Sequence, residues 1–339
     1  MLTIGYIGNG KSTNRYHLPF SRSRENIRVK TIFSKYPETD AWEKFADINY
    51  TSEIDDILND DELQLVVVCT QIDSHFEYAK LLLEYGKNAL IEKPFVATKA
   101  EAELLFNLAK EKGLILQCYQ NRRYDSDFLT TQKVIESGKL GDILEVEMSF
   151  DYFRPENSLN STSFVPMNSF LYGHGCHTLD QVISYFGAPQ KIHYDVRQIL
   201  GAGRSNDYFD LDLYYEHPLK VSVKSSYFRL IERPSFVVFG KKGSFVKARK
   251  DRQEEHLKLF YMPGNPGFGE DLPEHYGTLT YVDDNGIFHE EKVPTVTGDY
   301  ARVYDGLYET IINGKPKTVS DEETILQIEI LEQGIKECR

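Results

Sequence analysis

The chain opens Met1–Thr13, MLTIGYIGNGKST, and two phosphate-binding patterns overlap in it. Gly5-x-x-x-x-Gly10-Lys11-Ser12 is the pattern of a P-loop, whereas Gly8-x-Gly10-x-x-Thr13 is nearly a dinucleotide fingerprint. A P-loop needs a full strand before its first glycine, and only four residues precede Gly5. It also needs a helix after Lys-Ser, which Pro19 is expected to interrupt. A second apolar strand should end in a magnesium-binding Asp, but Leu63–Thr70 (LQLVVVCT) ends in Cys-Thr. The dinucleotide reading meets none of these obstacles. Ile4–Ile7 lead straight into Gly8, and a second strand ends about 25 residues later, as a βαβ unit requires. Gly8 permits the tight turn, and Gly10 lets a pyrophosphate approach the backbone at a helix N-terminus. Thr13 replaces the third glycine, which would space helix and strand slightly further apart.

Working outward, the first third alternates strands and helices. Leu2–Ile7, Val29–Ser34, Leu63–Thr70, Asn88–Glu92 and Leu114–Tyr119 read as strands, the third nearly all apolar as a strand buried on both faces should be. One helix is expected from about Ser74 to Glu84. Another begins at the capping box Thr98-x-x-Glu101. The alternation implies a parallel sheet with helices on both faces. After about residue 120 the period changes to two. Glu145–Phe153, Tyr208–Glu216, Lys220–Phe228, Ser235–Phe239 and Ser244–Ala248 read as strands, with hairpins at Gly240–Gly243 and Asn285-Gly286. A helix is expected from about His174 to Phe186, and two more close the chain, the last capped by Ser320-x-x-Glu323. The fold class is therefore α/β, with a dinucleotide-binding domain over 1–120. The second α/β domain, over 121–339, carries a large open, mostly antiparallel sheet. Its free face is expected to carry aromatic and β-branched residues and to pair two copies into a homodimer.

Net charge is −13 over 339 residues, which argues against nucleic acid or an anionic membrane as partner. No apolar run reaches the length of a membrane span, and the N-terminus has no signal-peptide pattern. Cys69, Cys118, Cys176 and Cys338 show no C-x-x-C pairing and read as reduced thiols, so a cytoplasmic location is expected.

A second stretch, Val66–Phe95, contains Thr70-x-x-x-x-His75 and Glu92-Lys93-Pro94. Asn121-x-Arg123-Tyr124 and Gly175-x-His177-x-x-Asp180 follow it. In this order they resemble the Gfo/Idh/MocA family, the oxidoreductases related to glucose–fructose oxidoreductase and inositol dehydrogenase, over essentially the whole chain. The resemblance implies a Rossmann domain, a second domain whose sheet mediates dimers or tetramers, and hydride transfer between a nicotinamide and a secondary alcohol or ketone of a sugar or polyol. A cofactor-binding regulator without turnover, or a nicotinamide-dependent lyase or glycosidase, are the alternatives. Two positions depart from the family pattern. Its usual Thr-Pro-Asn is Thr70-Gln71-Ile72 here, and Gly173 stands where an Asp often precedes the catalytic His by four residues.

The reaction needs a proton carrier on the hydroxyl and a positive group near the developing alkoxide. Lys93, at the carboxyl end of a parallel strand, and His177, whose imidazole titrates near neutrality, are the expected catalytic pair. Expected cofactor contacts are Gly8, Gly10, Lys11, Ser12, Thr13, Ser34, Lys35, Cys69, Thr70, His75, Glu92 and Lys93. Asn121, Arg123, Tyr152, Arg154 and Asp180 are expected at the substrate. His174, His177 and Asp180 drift round a helix and are not expected to hold a metal. The second strand ends Phe33-Ser34-Lys35, without the carboxylate that binds a ribose 2′-hydroxyl. NADP(H) is therefore expected to be preferred and NAD(H) possible; Glu38 and Asp40 lie further on.

Overall fold

In a computed structural model, residues 1–36, 42–156, 165–201 and 203–338 are described; Glu38 and Asp40 fall outside them. The chain forms two compact units. The first comprises 1–121, 256–266 and 300–328, and the second 122–255, 267–299 and 329–339.

The first unit is built on six parallel strands: β1 (Leu2–Ile7), β2 (Ile27–Phe33), β3 (Asn49–Thr51), β4 (Leu65–Val68), β5 (Asn88–Ile91) and β6 (Leu116–Cys118). Their order, β3-β2-β1-β4-β5-β6, is the Rossmann order, and it reverses between β1 and β4. All four residues of β4 are fully buried, which accounts for its unbroken apolar run. β3 escapes sequence reading because it is a short, half-exposed edge of polar residues.

Helices α1 (Leu18–Ser21), α2 (Asp55–Leu58), α3 (His75–Glu84) and α4 (Lys99–Lys112) connect the strands. The capping box at Thr98 is present, with Glu101 N donating to Thr98 Oγ1 and Thr98 N to Glu101 Oε2. Pro19 does not interrupt the first helix as expected from sequence. A π turn over Thr13–His17 precedes α1, and the proline sits just beyond it. The wider turn relieves the clash a proline ring makes with an upstream carbonyl.

The second unit begins with α5 (Ser126–Glu136), which sequence reading missed. β7 (Ile143–Ser149) and α6 (Cys176–Phe186) follow. The rest of the sheet is β8 (Lys191–Arg197), β9 (Tyr208–Tyr214), β10 (Lys220–Ser226), β11 (Phe236–Gly240), β12 (Gly243–Lys247), β13 (Gly277–Val282) and β14 (Phe288–Val293). A short α7 (Gln253–Lys258) precedes β13, and α8 (Arg302–Asn313) and α9 (Asp321–Lys336) close the chain. Sheet order is β14-β13-β12-β11-β7-β10-β9-β8, antiparallel except for the β7–β10 pair. Val146, Met148, Phe209, Leu211, Val221, Val238 and Phe245 point to the buried face.

The opposite face carries aromatic and β-branched residues, as expected, but also charge that was not expected. Its centre is a charged ladder, Lys220 with Glu145 at 2.7 Å and Lys224 with Glu147 at 3.4 Å. Exposed Phe239, Val246, Val282 and Phe288 lie toward the β11–β14 end, and Tyr214 of β9 is exposed on the other side of the ladder. Period-two alternation fixes which residues face outward, but polar outward positions along β7, β9 and β10 leave little apolar area there.

Candidate cofactor and active site

The end of β1 and the residues after β4 meet at Gly8. Its φ is +104°, and a Cβ there would lie 2.6 Å from the carbonyl oxygen of Cys69. A side chain is excluded by conformation and by space. At Gly10 a Cβ would meet nothing within 4 Å, so the backbone lies open to an approaching group. Thr13 does more than replace a glycine, because its hydroxyl donates to Gly8 O at 2.6 Å and ties the helix back to the strand end. Lys11 is exposed and Ser12 half-buried at the helix start. These features, at the reversal of strand order, fit a dinucleotide phosphate at the loop.

Beyond β2, Ser34 is half-buried and Lys35 exposed, its ammonium 5.6 Å from the Tyr36 ring. Beyond β4, Ser74 Oγ donates to Thr70 Oγ1 at 2.7 Å, and the Cys69 thiol is pushed well up by burial and by the Glu92 charge. The contribution of Cys69 at Gly8 is its backbone. His75 opens α3 and contacts Pro94 O through Nδ1 at 3.0 Å. Burial holds its imidazole below the usual range, against the opposing Pro94 hydrogen bond and Glu92 charge. Nδ1 therefore carries the proton. His75 Nε2 is buried with no hydrogen-bond partner among the described residues, leaving an acceptor for a bound group.

Glu92, after β5, faces the protein with both oxygens. Oε1 accepts from Ser12 Oγ and lies 3.0 Å from His17 Nε2, and Oε2 accepts from Lys93 N at 2.8 Å. Burial pushes this carboxyl up, but the His17 hydrogen bond and charge, the Lys93 charge and Ser12 outweigh it and hold it at about 2. Sequence reasoning named Ser12 and Glu92 separately. It missed His17, because nothing in the spacing of a lone helical histidine shows what it faces.

In the second unit a π turn over Leu171–Gly175 leads into α6 and carries Gly173, His174 and Gly175. His177 and Asp180 are buried on the first turns of α6. Arg123 and Asp180 form a two-pronged ion pair, at 2.8 and 2.7 Å. Tyr152 is half-buried with its ring 4.9 Å from that of His174 and the Arg154 guanidinium 4.3 Å above it. Burial and the Glu254 charge push the Tyr152 phenol up, so it stays protonated and can donate. Two cations escaped sequence reading. Arg122 is paired with Asp125 and Glu254 and lies over the Phe150 ring, and Lys250 lies 4.7 Å from that ring and 4.8 Å from Tyr152. Asn121 is buried in a 3-10 turn over Asn121–Tyr124. At Gly173 a Cβ would meet nothing within 4 Å, so the missing carboxylate leaves open space.

Among the described residues no group of three His, Cys, Asp or Glu side chains is arranged to hold a metal, and no helix is long and apolar enough to cross a membrane. Residues 2–120 match the Gfo/Idh/MocA model described as "Oxidoreductase family, NAD-binding Rossmann fold". Residues 132–339 match its companion, "Oxidoreductase family, C-terminal alpha/beta domain". The chain belongs to the Gfo/Idh/MocA oxidoreductase family. Among curated members it is 48% identical to the uncharacterized oxidoreductase YhhX of Escherichia coli, covering 100% of this chain and 97% of the relative. It is 31% identical to the scyllo-inositol 2-dehydrogenase (NADP(+)) IolW of Bacillus subtilis, covering 100% and 94%. The crystal structure of YhhX superposes with a TM-score of 0.93 over 99% of this chain and 97% of that one. An oxidoreductase from Bacillus cereus, 42% identical, gives 0.93 over 99% and 96%. As a family member the chain is a dehydrogenase or reductase with a Rossmann domain for a nicotinamide cofactor.

Proposed function

We propose that this oxidoreductase interconverts a secondary alcohol and a ketone on a sugar, a polyol or a related small molecule, with NADP(H) preferred over NAD(H). The bound nicotinamide would supply or take up the hydride. Gly8, Gly10 and the first turn, Lys11–Thr13, would receive the pyrophosphate, with Ser34 and Lys35 toward the 2′-phosphate and Thr70 and His75 along the cofactor. Two observations support NADP(H): no carboxylate follows β2 at Ser34-Lys35, and the relative IolW carries NADP(+) in its name.

Lys93 is assigned as the electrostatic stabiliser of the alkoxide and His177 as the group that holds and moves the hydroxyl proton. The observation that carries this assignment is the placing of Lys93. It follows β5 at the carboxyl edge of the parallel sheet, and its peptide is held by the same carboxylate that holds Ser12 of the glycine loop. Asn121, Arg123, Tyr152, Arg154 and Asp180 are assigned to the substrate. Arg123 and Asp180 act as a mutually oriented pair, and Tyr152 acts as a donor. A homodimer through the second sheet is proposed as the assembly, with tetramers as the alternative.

The test is a screen of inositols, other polyols and sugars with NADP⁺ and NAD⁺, followed by the absorbance of reduced nicotinamide. Turnover of a polyol with NADP⁺ supports the reading. Product formed with no net change in the cofactor would point instead to a lyase or glycosidase.

A further inference from the structure

A closed chain of hydrogen bonds runs beneath the glycine loop, entirely within the first unit. Ser21 Oγ donates to Leu18 O at 3.2 Å, and the Tyr6 hydroxyl donates to Ser21 Oγ at 2.9 Å. Tyr6 has one proton, so the 3.0 Å contact between Tyr6 and Tyr304 is filled by the Tyr304 proton. The Tyr304 oxygen, 2.8 Å from His17 Nδ1, then needs a donor, and only an Nδ1–H supplies it. On the other edge of the ring, His17 Nε2 faces the Glu92 carboxylate at 3.0 Å. That contact requires an Nε2–H as well. Both ring nitrogens therefore donate.

We propose that His17 is held as an imidazolium in a buried ion pair with Glu92, and that this pair is the positioning device that locks the peptide of Lys93 to the first turn of the glycine-loop helix. Its effect on turnover rests on the dehydrogenase reading above. The His17 side chain is 0% exposed and that of Glu92 10%, so the pair is shielded from water and must satisfy its own hydrogen bonds. It does so. Glu92 takes Ser12, His17 and the Lys93 amide. The imidazole ring packs on Tyr119 with centroids 3.9 Å apart, a π-face suited to a cation. The Tyr119 hydroxyl in turn donates at 2.6 Å to the carbonyl of Tyr16, the residue before His17. The titratable groups around the pair are Tyr6 on β1, Tyr119 after β6, Tyr304 on α8, Cys69 after β4, His75 on α3 and Lys93 itself. The tyrosine end stops at a fully buried Ser21 bonded to a backbone carbonyl, so it offers no exit to solvent. The arrangement holds a charge in place; it does not pass a proton through that end.

The full chain labelled with ¹⁵N-histidine, studied by NMR at pH 7.5, reads the His17 ring directly, with His17→Gln giving the assignment. Both ring nitrogens are expected to be protonated in the native protein, and one to lose its proton in Glu92→Gln. A neutral His17 in the native protein overturns the ion pair. Positioning is read by a kcat split. Glu92→Gln is expected to lower kcat by about 10- to 100-fold, the scale of a lost hydrogen bond to a charged group, and to weaken NADPH binding by a clearly smaller factor. An unchanged kcat, or a matching loss of NADPH affinity, overturns the positioning role. If Glu92→Gln does not fold, His17→Gln carries the same comparison. If the native chain turns over no substrate, the dehydrogenase reading fails on its own. Exchange of the Lys93 amide then decides the positioning role: it should quicken by about tenfold or more in the variant, and unchanged exchange overturns it.

Discussion

At Gly8 the positive φ and the 2.6 Å approach to Cys69 O leave no room for a methyl group. Gly8→Ala should cost about 1–3 kcal/mol of stability. It should also weaken NADPH binding at least about tenfold in a fluorescence titration, because the turn that presents Gly10 is displaced. This residue was legible in the sequence because a turn of that shape admits only glycine. Asp127 was not, because its neighbours come from distant parts of the chain. Burial and the Asp251 charge push its carboxyl up to about 6, against the opposing Lys247 charge and Ser235 hydrogen bond. A raised carboxyl favours the folded state while protonated. That stability is fully present below the ordinary value of 3.8 and is lost as pH rises through 6. Between pH 5 and pH 7.5 the native protein should lose about 1–2 kcal/mol through this group, and Asp127→Asn should not. Urea unfolding of both proteins at the two pH values measures the difference, and parallel pH profiles would refute it.

Among elements, the capping boxes at Thr98 and Ser320 were readable because the pattern is local: one side chain and the backbone three residues on. Thr98→Ala should therefore cost about 1 kcal/mol in the same denaturation experiment, with cofactor affinity unchanged. The two π turns, Thr13–His17 and Leu171–Gly175, were not readable. An extra residue in one turn leaves no mark in a hydrophobic period, yet each of these turns carries or adjoins a histidine of interest, His17 and His174. Such turns recur at functional sites. The second has room at Gly173, so Gly173→Asp should leave the melting temperature within a few degrees, about 1 kcal/mol at this size. A collapse of stability would show that the turn needs glycine for its backbone.

For the molecule as a whole, the βαβ rhythm of the first third and the period-two strands after it were enough to read the fold class. Strand order and the β7–β10 parallel pair were not readable, because pairing is decided by contacts far apart in sequence. The charged centre of the second sheet, with exposed aromatic and aliphatic residues on either side of it, makes the proposed homodimer a mixed polar and apolar contact. A dimer mass in sedimentation at micromolar protein, weakened by high salt, is expected; a monomer at every salt concentration would contradict it. The residues proposed for the chemistry, Lys93 and His177, were named only from residue types in an order, while the carboxylate network behind Lys93 needed the fold to assemble it. Lys93→Met tests the account most directly, assayed on the substrate found in the polyol and sugar screen. We expect kcat to fall by about 10²–10³ or more, the scale of losing one stabiliser of a developing oxyanion, with NADPH affinity nearly intact. His177→Ala should cost about 10²–10⁴, and the double variant less than the product of the two, because both are proposed to act on one hydroxyl. Near-normal turnover in Lys93→Met would contradict the account and leave Lys93 a strand-end lysine with no part in the chemistry.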